Sequence, residues 1–241
     1  MCAIFGFVAE QGQEMDVKEM VRIAEANVRR GPHAFGFAWV DGRGRLRMYK
    51  QQGAITDHLG VLAMARGARM FVGHVRYVTH GSAEANINNH PHAADGGWLV
   101  HNGVVTNYEQ LVRAQRLWPV SECDSEVLGL LAERAEGGLL GRVAGAVTQT
   151  TGNLCLLGLW SRPAKLVAVR RGNPLHWSQT SRGVYLATLA MGLPGNAHAV
   201  PDGQGYQLAV RGGKVVSRAV TVGVSAGELW ESSAGGAYRG G

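Results

Sequence analysis

Cysteine is scarce in this chain: Cys 3 among 241 residues, an odd number at the irregular positions 2, 123 and 155. That excludes a disulfide framework and fits a reducing cytosol. No apolar run approaches the roughly 20 residues of a membrane-crossing helix. The N-terminus lacks the basic region and apolar stretch of a signal peptide, so a cytoplasmic location is the expectation. Charge is also sparse, at 17% of residues, and Lys+Arg 24 against Asp+Glu 18 leaves +6. The basic residues are scattered rather than blocked, which reads as a solvated surface and not a nucleic-acid arm. There is no internal repeat and no break in composition that marks a second domain. What is present is a 46% hydrophobic content, enough for a substantial core, and Gly 35, above the usual share. That glycine content points to many turns and close backbone approaches.

The run from Cys2 to Val8 reads as a strand. Asp16-Val17-Lys18-Glu19 has capping-box spacing, and Val17, Met20, Val21, Ala24 and Val28 recur at the period of an amphipathic helix that Gly31-Pro32 ends. Residues 35–40 and 46–50 read as a hairpin around Asp41-Gly42-Arg43-Gly44. Residues 56–66 suggest a second helix and 70–77 another strand. A long polar loop covers 79–97, followed by a strand over 98–105. Thr106-Asn107-Tyr108-Glu109 repeats the capping-box spacing before a helix, and helical patterns follow over 125–135 and 139–147. From Asn153 onward short β segments dominate: 154–160, 166–170, 175–178, 184–187, 206–210 and 214–218. Residues 223–241 are rich in Gly, Ser and Ala and read as a loosely held tail. Strands, then helices, then strands, with hairpins in place of βαβ alternation, predict a layered α+β domain of two mainly antiparallel sheets covered by helices.

Chemistry concentrates at a few places. Cys2 follows the initiator methionine directly. With Met1 removed, one residue carries a thiol of pKa about 8.5 and an α-amine of about 7.7–8.0, so the amine can activate its own nucleophile without a histidine. Taken alone, Cys2 is better read as a buried thiol near a terminus. Gly73-His74-Val75-Arg76-Tyr77-Val78-Thr79-His80-Gly81 sets an arginine fork, suited to a carboxylate, at a strand end, with Thr79 and His80 as further donors. An isolated arginine of this kind is more often a surface ion pair. Asn102-Gly103 at the end of an apolar strand offers a side-chain amide and an approachable backbone N–H, a pair suited to an oxyanion, although Asn-Gly is also a common turn dipeptide. Asp124, at a helix start, reads either as a cap or as an acceptor for a substrate ammonium. His90-Pro91-His92, with His74, His80 and His101, raises a metal site, but the spacing lacks a helix-borne His pair and a cysteine cluster. No metal and no cofactor is therefore expected.

Taken together these motifs resemble the class II glutamine amidotransferases, the N-terminal-nucleophile glutaminases, and most strongly the glutaminase half of glucosamine-6-phosphate synthase. The resemblance rests on Met1-Cys2-Ala3-Ile4-Phe5-Gly6, Arg30-Gly31-Pro32, the stretch from Gly73 to Gly81, His90-Pro91-His92, the run from Val100 to Tyr108, and Cys123-Asp124-Ser125-Glu126-Val127. Arg171-Gly172-Asn173-Pro174-Leu175 is a weaker echo. The resemblance implies a four-layer αββα sandwich of the Ntn-hydrolase type, a glutaminase domain over 1–222 and a tail over 223–241. It implies Cys2 as nucleophile and Asn102 and Gly103 as oxyanion hole. Arg76, with Thr79 and His80, would hold the α-carboxylate of L-glutamine, Asp124 its α-ammonium, and Arg30 would order the Cys2 region. Four departures stand out: Tyr77 where the sugar synthases carry tryptophan, Cys123 and Ser125 where they carry threonines, and His33 where relatives carry an acidic residue.

The activity so implied is hydrolysis of the glutamine side-chain amide through a Cys2 thioester, giving glutamate and ammonia. The synthases join the glutaminase to a large acceptor domain, whereas this sequence ends soon after the glutaminase-like region, so a stand-alone subunit serving a separate ammonia-acceptor enzyme is expected. Two other readings stay open. One is a γ-glutamyl or other amide hydrolase on the same scaffold; the other is a non-catalytic glutamine-binding subunit that keeps Met1.

Overall fold

The computed structural model describes residues 1–223. The expected tail over 223–241 lies, from residue 224 onward, outside the described residues. In chain order the elements are β1 (Ala3–Ala9), α1 (Val17–Val28), β2 (Ala34–Val40), β3 (Leu46–Gln52), a 3-10 stretch (Ile55–Ala65), β4 (Met70–Arg76), β5 (His92–Ala94) and β6 (Gly97–Gly103). Then follow α2 (Tyr108–Ala114), α3 (Glu126–Arg134), α4 (Leu139–Gln149), β7 (Leu154–Ser161), β8 (Ala164–Arg171), β9 (His176–Thr180), β10 (Gly183–Ala187), β11 (His198–Ala199), β12 (Gln204–Arg211) and β13 (Lys214–Thr221).

The strands form two sheets with the orders β11-β9-β10-β1-β4-β2-β3 and β13-β12-β8-β7-β6-β5, and every pairing is antiparallel. Side-chain alternation explains why they stack. On β1, Ile4 and Val8 face a core shared with Val100, Leu157 and Leu166 of the other sheet. Phe5 and Phe7 face the opposite way, toward Met20, Ile23 and Leu62 of α1 and the 3-10 stretch. The second sheet turns Leu154, Leu156 and Val167 onto Val127, Leu131 and Val143 of α3 and α4. Three apolar layers between four layers of structure make the αββα sandwich, and β1, paired on both edges, is buried along its whole length.

Local chemistry set several element ends differently from the sequence expectation. Asp16 accepts from the Lys18 N–H at 2.9 Å, but Glu19 pairs with Arg22, so α1 has a cap rather than the reciprocal box. Thr106 and Asn107 do not cap α2. Thr106 Oγ1 meets Thr151 Oγ1 at 2.7 Å, while Asn107 donates to the Gln149 carbonyl and accepts from the Thr151 N–H, fastening α2 to the α4–β7 turn. The segment expected as a second helix is 3-10 and is broken at His58, whose φ is −135°. The long polar loop contains β5 and a 3-10 turn at Asn86–Asn88.

Gly31, which follows α1, is where the chain passes closest to the end of β4. A Cβ there would lie 2.4 Å from the Val75 carbonyl and 2.6 Å from the Arg76 carbonyl carbon. Backbone cannot swing aside as a side chain does. Gly31→Ala is therefore expected to lower stability by about 1–3 kcal/mol, read from chemical denaturation; an unchanged midpoint would contradict this packing.

Candidate active site

Cys2 sits immediately before β1. Because Ala3 pairs with Val75 of β4, the continuation of that register brings Cys2 to Arg76 and Tyr77. Its Sγ accepts from the Tyr77 N–H at 3.3 Å and donates to the Tyr77 carbonyl at 3.4 Å. Arg30, at the end of α1, donates its Nε to the Cys2 carbonyl at 2.9 Å and approaches Met1 Sδ at 3.6 Å. Met1 is 70% exposed.

Burial raises the Cys2 thiol above its ordinary value, against the lowering pulls of the Tyr77 backbone, the N-terminal ammonium and Arg76; Asp124 pushes it up further. The thiolate is therefore the minor form at neutral pH while Met1 remains. Iodoacetamide alkylation of Cys2 in that form should still be accelerating above pH 9, by about tenfold per pH unit while the thiol predominates. A plateau below pH 9 would contradict the assignment.

Arg76 is buried, 2% exposed, and its fork is fully engaged. Nη1 donates to Asn89 Oδ1 at 2.6 Å and to the Ser82 carbonyl at 3.3 Å, and Nη2 to the His80 and Gly81 carbonyls at 2.5 and 3.4 Å. All four acceptors are neutral, and among the described residues no carboxylate forms an ion pair with Arg76. Thr79 is exposed and its Oγ1 lies 3.4 Å from His80 Nδ1. His80 Nδ1 is 4.0 Å from Asp124 Oδ1. A cleft of about 580 Å3 lined by Pro32, His33, Gln52, Val78, Ser82 and Glu84 opens beside the same loop.

Asp124 is 2% exposed and does not cap its own helix. Its Oδ2 accepts from the Val105 N–H at 2.6 Å, reaching from the start of α3 to the chain just beyond β6. Asn102 is 1% exposed. Its carbonyl accepts from Asn173 Nδ2 at 2.9 Å, and its Nδ2 donates weakly to Cys155 Sγ at 3.7 Å. Burial pushes the Cys155 thiol up to about 12, while the Asn102 and Thr188 side chains pull it down. Thr188 Oγ1 in turn accepts from the Ile4 N–H at 2.9 Å, so Asn102 is linked to β1 through Cys155 and Thr188. Gly103 has φ 152° and lies where a Cβ would be 2.3 Å from the Asn153 carbonyl oxygen, so only glycine fits there.

The structure thus joins Cys2, Arg30 and the Arg76 loop through direct hydrogen bonds, and His80 to Asp124 by proximity. Asn102 and Gly103 stand at the end of the facing strand, with no hydrogen bond to Cys2. Three supporting groups were not among the residues singled out for the site in the sequence. Tyr77 acts through its backbone, Cys155 is an isolated residue, and Asn173 lies within the Arg171-Gly172-Asn173-Pro174-Leu175 echo. A further buried chain runs from Ser125 Oγ to His101 Nδ1 at 2.7 Å, and from the His101 carbonyl to His74 Nε2 at 3.0 Å. A separate cavity of about 480 Å3, lined by residues including Trp177, Leu186, Val200 and Tyr206, contains none of these residues.

No family model matches the chain. Its sequence is similar to enzymes named glutamine–fructose-6-phosphate aminotransferase (isomerizing). It is 36% identical over 140 residues to that of Geobacillus kaustophilus, covering 56% of this chain and 22% of the relative. It is 35% identical over 194 residues to that of Aeropyrum pernix, covering 73% and 30%, and 33% identical over 187 residues to that of Escherichia coli K12, covering 73% and 29%. The chain thus spans less than a third of the length of these relatives. Among solved structures, the glutamine phosphoribosylpyrophosphate amidotransferase of B. subtilis superposes with a TM-score of 0.76 at 21% identity, over 92% of this chain and 49% of that one. A glutamine aminotransferase class-II domain protein of Silicibacter pomeroyi gives 0.62 at 19% identity, over 90% and 98%. The fold is the one shared with these two solved structures.

Proposed function

We infer that this chain is a class II glutamine amidotransferase, and that it hydrolyses the side-chain amide of glutamine through a thioester on Cys2. The observation that carries the reading is electrostatic. A buried arginine and a buried aspartate both act on one thiol, yet Arg76 is paired with neutral acceptors and Asp124 with a backbone N–H and the nearby His80. Two opposite charges kept apart beside a nucleophile fit a zwitterion: Arg76 receives the α-carboxylate, helped by Thr79 and His80, and Asp124 receives the α-ammonium. The loop carbonyls that hold the Arg76 fork would be released as the carboxylate takes their place.

In the proposed mechanism Met1 is first removed, a step favoured by its exposure and by the small residue behind it. The Cys2 amine, held near the site by the Arg30 bond to the Cys2 carbonyl, takes the thiol proton. The thiolate attacks the side-chain carbonyl, and Asn102 Nδ2 with the Gly103 N–H receive the oxyanion. Ammonia departs with a proton from the Cys2 ammonium, and water cleaves the thioester to glutamate. The ammonia is passed to a separate acceptor enzyme, and the free thiols of Cys2, Cys123 and Cys155 suit a cytoplasmic setting.

Asp124→Asn keeps an oxygen for the Val105 N–H and removes the charge. It should lower kcat/KM for glutamine about 10–100-fold, the worth of a hydrogen bond to a charged group, while sparing a glutamine analogue that lacks the α-amine. Equal losses on both substrates would argue instead for an amide hydrolase that does not grip a free amino acid. Ammonia release measured with and without candidate partners tests the acceptor: stimulation by one of them supports a separate enzyme, and none by any of them counts against it.

A further inference from the structure

The segment that follows the Arg76 loop packs against the segment that precedes Asp124. Asn88 donates to Glu122 Oε2 and accepts from the Glu122 N–H, both at 2.9 Å. Just beyond this clasp, His90, His92 and Cys123 converge: one donor atom from each lies within 4.8 Å of the others. They are 3%, 5% and 6% exposed. Both ring nitrogens of His90 and Nε2 of His92 are buried without a hydrogen-bond partner among the described residues. The Cys123 thiol donates only a long hydrogen bond to Asp124 Oδ1, at 3.9 Å, and receives hydrogen bonds from Ser125, which leaves its proton weakly held. Unpartnered buried polar atoms each cost about 1–3 kcal/mol. Here they cluster, carry lone pairs and surround one point.

We propose that His90, His92 and Cys123 form a binding site for a zinc-class divalent cation that pins the loop after Arg76 to the residue before Asp124. Two imidazoles and one thiolate are a donor set that zinc accepts, with a fourth position left for another ligand. Bonds of about 2.0–2.1 Å to nitrogen and 2.3 Å to sulfur need donors about 3.5 Å apart, so the three side chains draw inward on loading. The chemistry balances without redox change: the nitrogens donate lone pairs, the thiol releases its proton to solvent, and the thiolate offsets one positive charge of the ion. That offset matters because Lys50 is close, donating its Nζ to the Asn89 and Pro91 carbonyls at 2.8 and 3.3 Å. His90-Pro91-His92 raised a metal site in the sequence, but Cys123 is remote from the histidines in the chain, and spacing reveals only local ligand sets. The site does not depend on the proposed glutamine chemistry.

The test is a cobalt titration of the full chain after treatment with a chelator and dialysis. A single equivalent of Co2+ should bind with a thiolate-to-cobalt charge-transfer band, Zn2+ should displace it, and Cys123→Ser should abolish the band while Cys2→Ala and Cys155→Ser retain it. His92→Gln should weaken Co2+ binding by at least about tenfold. A folded native chain that gives no saturable band overturns the proposal. So does a band that survives Cys123→Ser and disappears in Cys2→Ala, which would place the ion on the N-terminal thiol.

Discussion

Cys2→Ala is expected to leave a folded protein that releases no ammonia from glutamine above background. The fold should survive because the thiol contributes little to it. Cys2 lies before β1, and its Sγ makes two long hydrogen bonds to the Tyr77 backbone while the strand behind it is anchored by Ile4, Phe5, Phe7 and Val8, all fully buried. The change in unfolding free energy should stay below about 1 kcal/mol, as for sites away from the core. The rate has no such reserve. Without sulfur no thioester forms, and oxyanion donors acting on direct water attack recover only a small part of the lost rate. The drop should be on the order of 10⁶-fold in kcat, the scale for loss of a covalent nucleophile. Ammonia release against time, alongside a thermal melt, checks both halves. A variant that melts like the parent and retains even a hundredth of its rate would remove Cys2 from the chemistry.

Asn102→Ala should lower kcat by about 10²–10³-fold with little change in KM, because an oxyanion donor acts on charge that develops only as the thiolate attacks. Two contacts orient this residue. Asn173 fixes the Asn102 carbonyl at 2.9 Å, and the side-chain amide rests on the sulfur of Cys155 at 3.7 Å. A thiol is a weak acceptor, so it orients the amide at small cost and leaves a second N–H free for substrate. Truncation therefore strands no strong partner, and stability should change far less than turnover. Steady-state kinetics with glutamine separate the two roles. A raised KM with kcat within about threefold of the parent would make Asn102 a binding residue and leave the oxyanion to other donors.

The parts of the fold legible in the sequence are those written in short-range pattern. The strand from Cys2, the 3.6-residue period of α1, the hairpin around residues 41–44 and the β-rich second half are all observed. So is the two-sheet layering, because apolar residues on both faces of β1 demand cover on both sides. The candidate site residues were chosen as types and positions, through an ordered series of motifs. Their partners were not. Asp124 looks like a helix cap in sequence, yet its carboxylate reaches Val105, a choice made by tertiary packing rather than by spacing. Capping residues at 106 and 107 bind the turn before β7 instead of their helix for the same reason. Tyr77 holds the Cys2 thiol through backbone atoms, which every residue carries, so no side-chain pattern can reveal it. The kink at His58 likewise has no marker in the apolar periodicity.

The most direct measurement is peptide mapping after reaction with an electrophilic glutamine analogue, since it reads the nucleophile, its processing and its specificity together. The expected result is one adduct per chain, on a Cys2 that has become the N-terminal residue, with labelling suppressed by excess glutamine. Labelling at Cys123 or Cys155, or glutamine turnover by a chain that retains Met1, would contradict it.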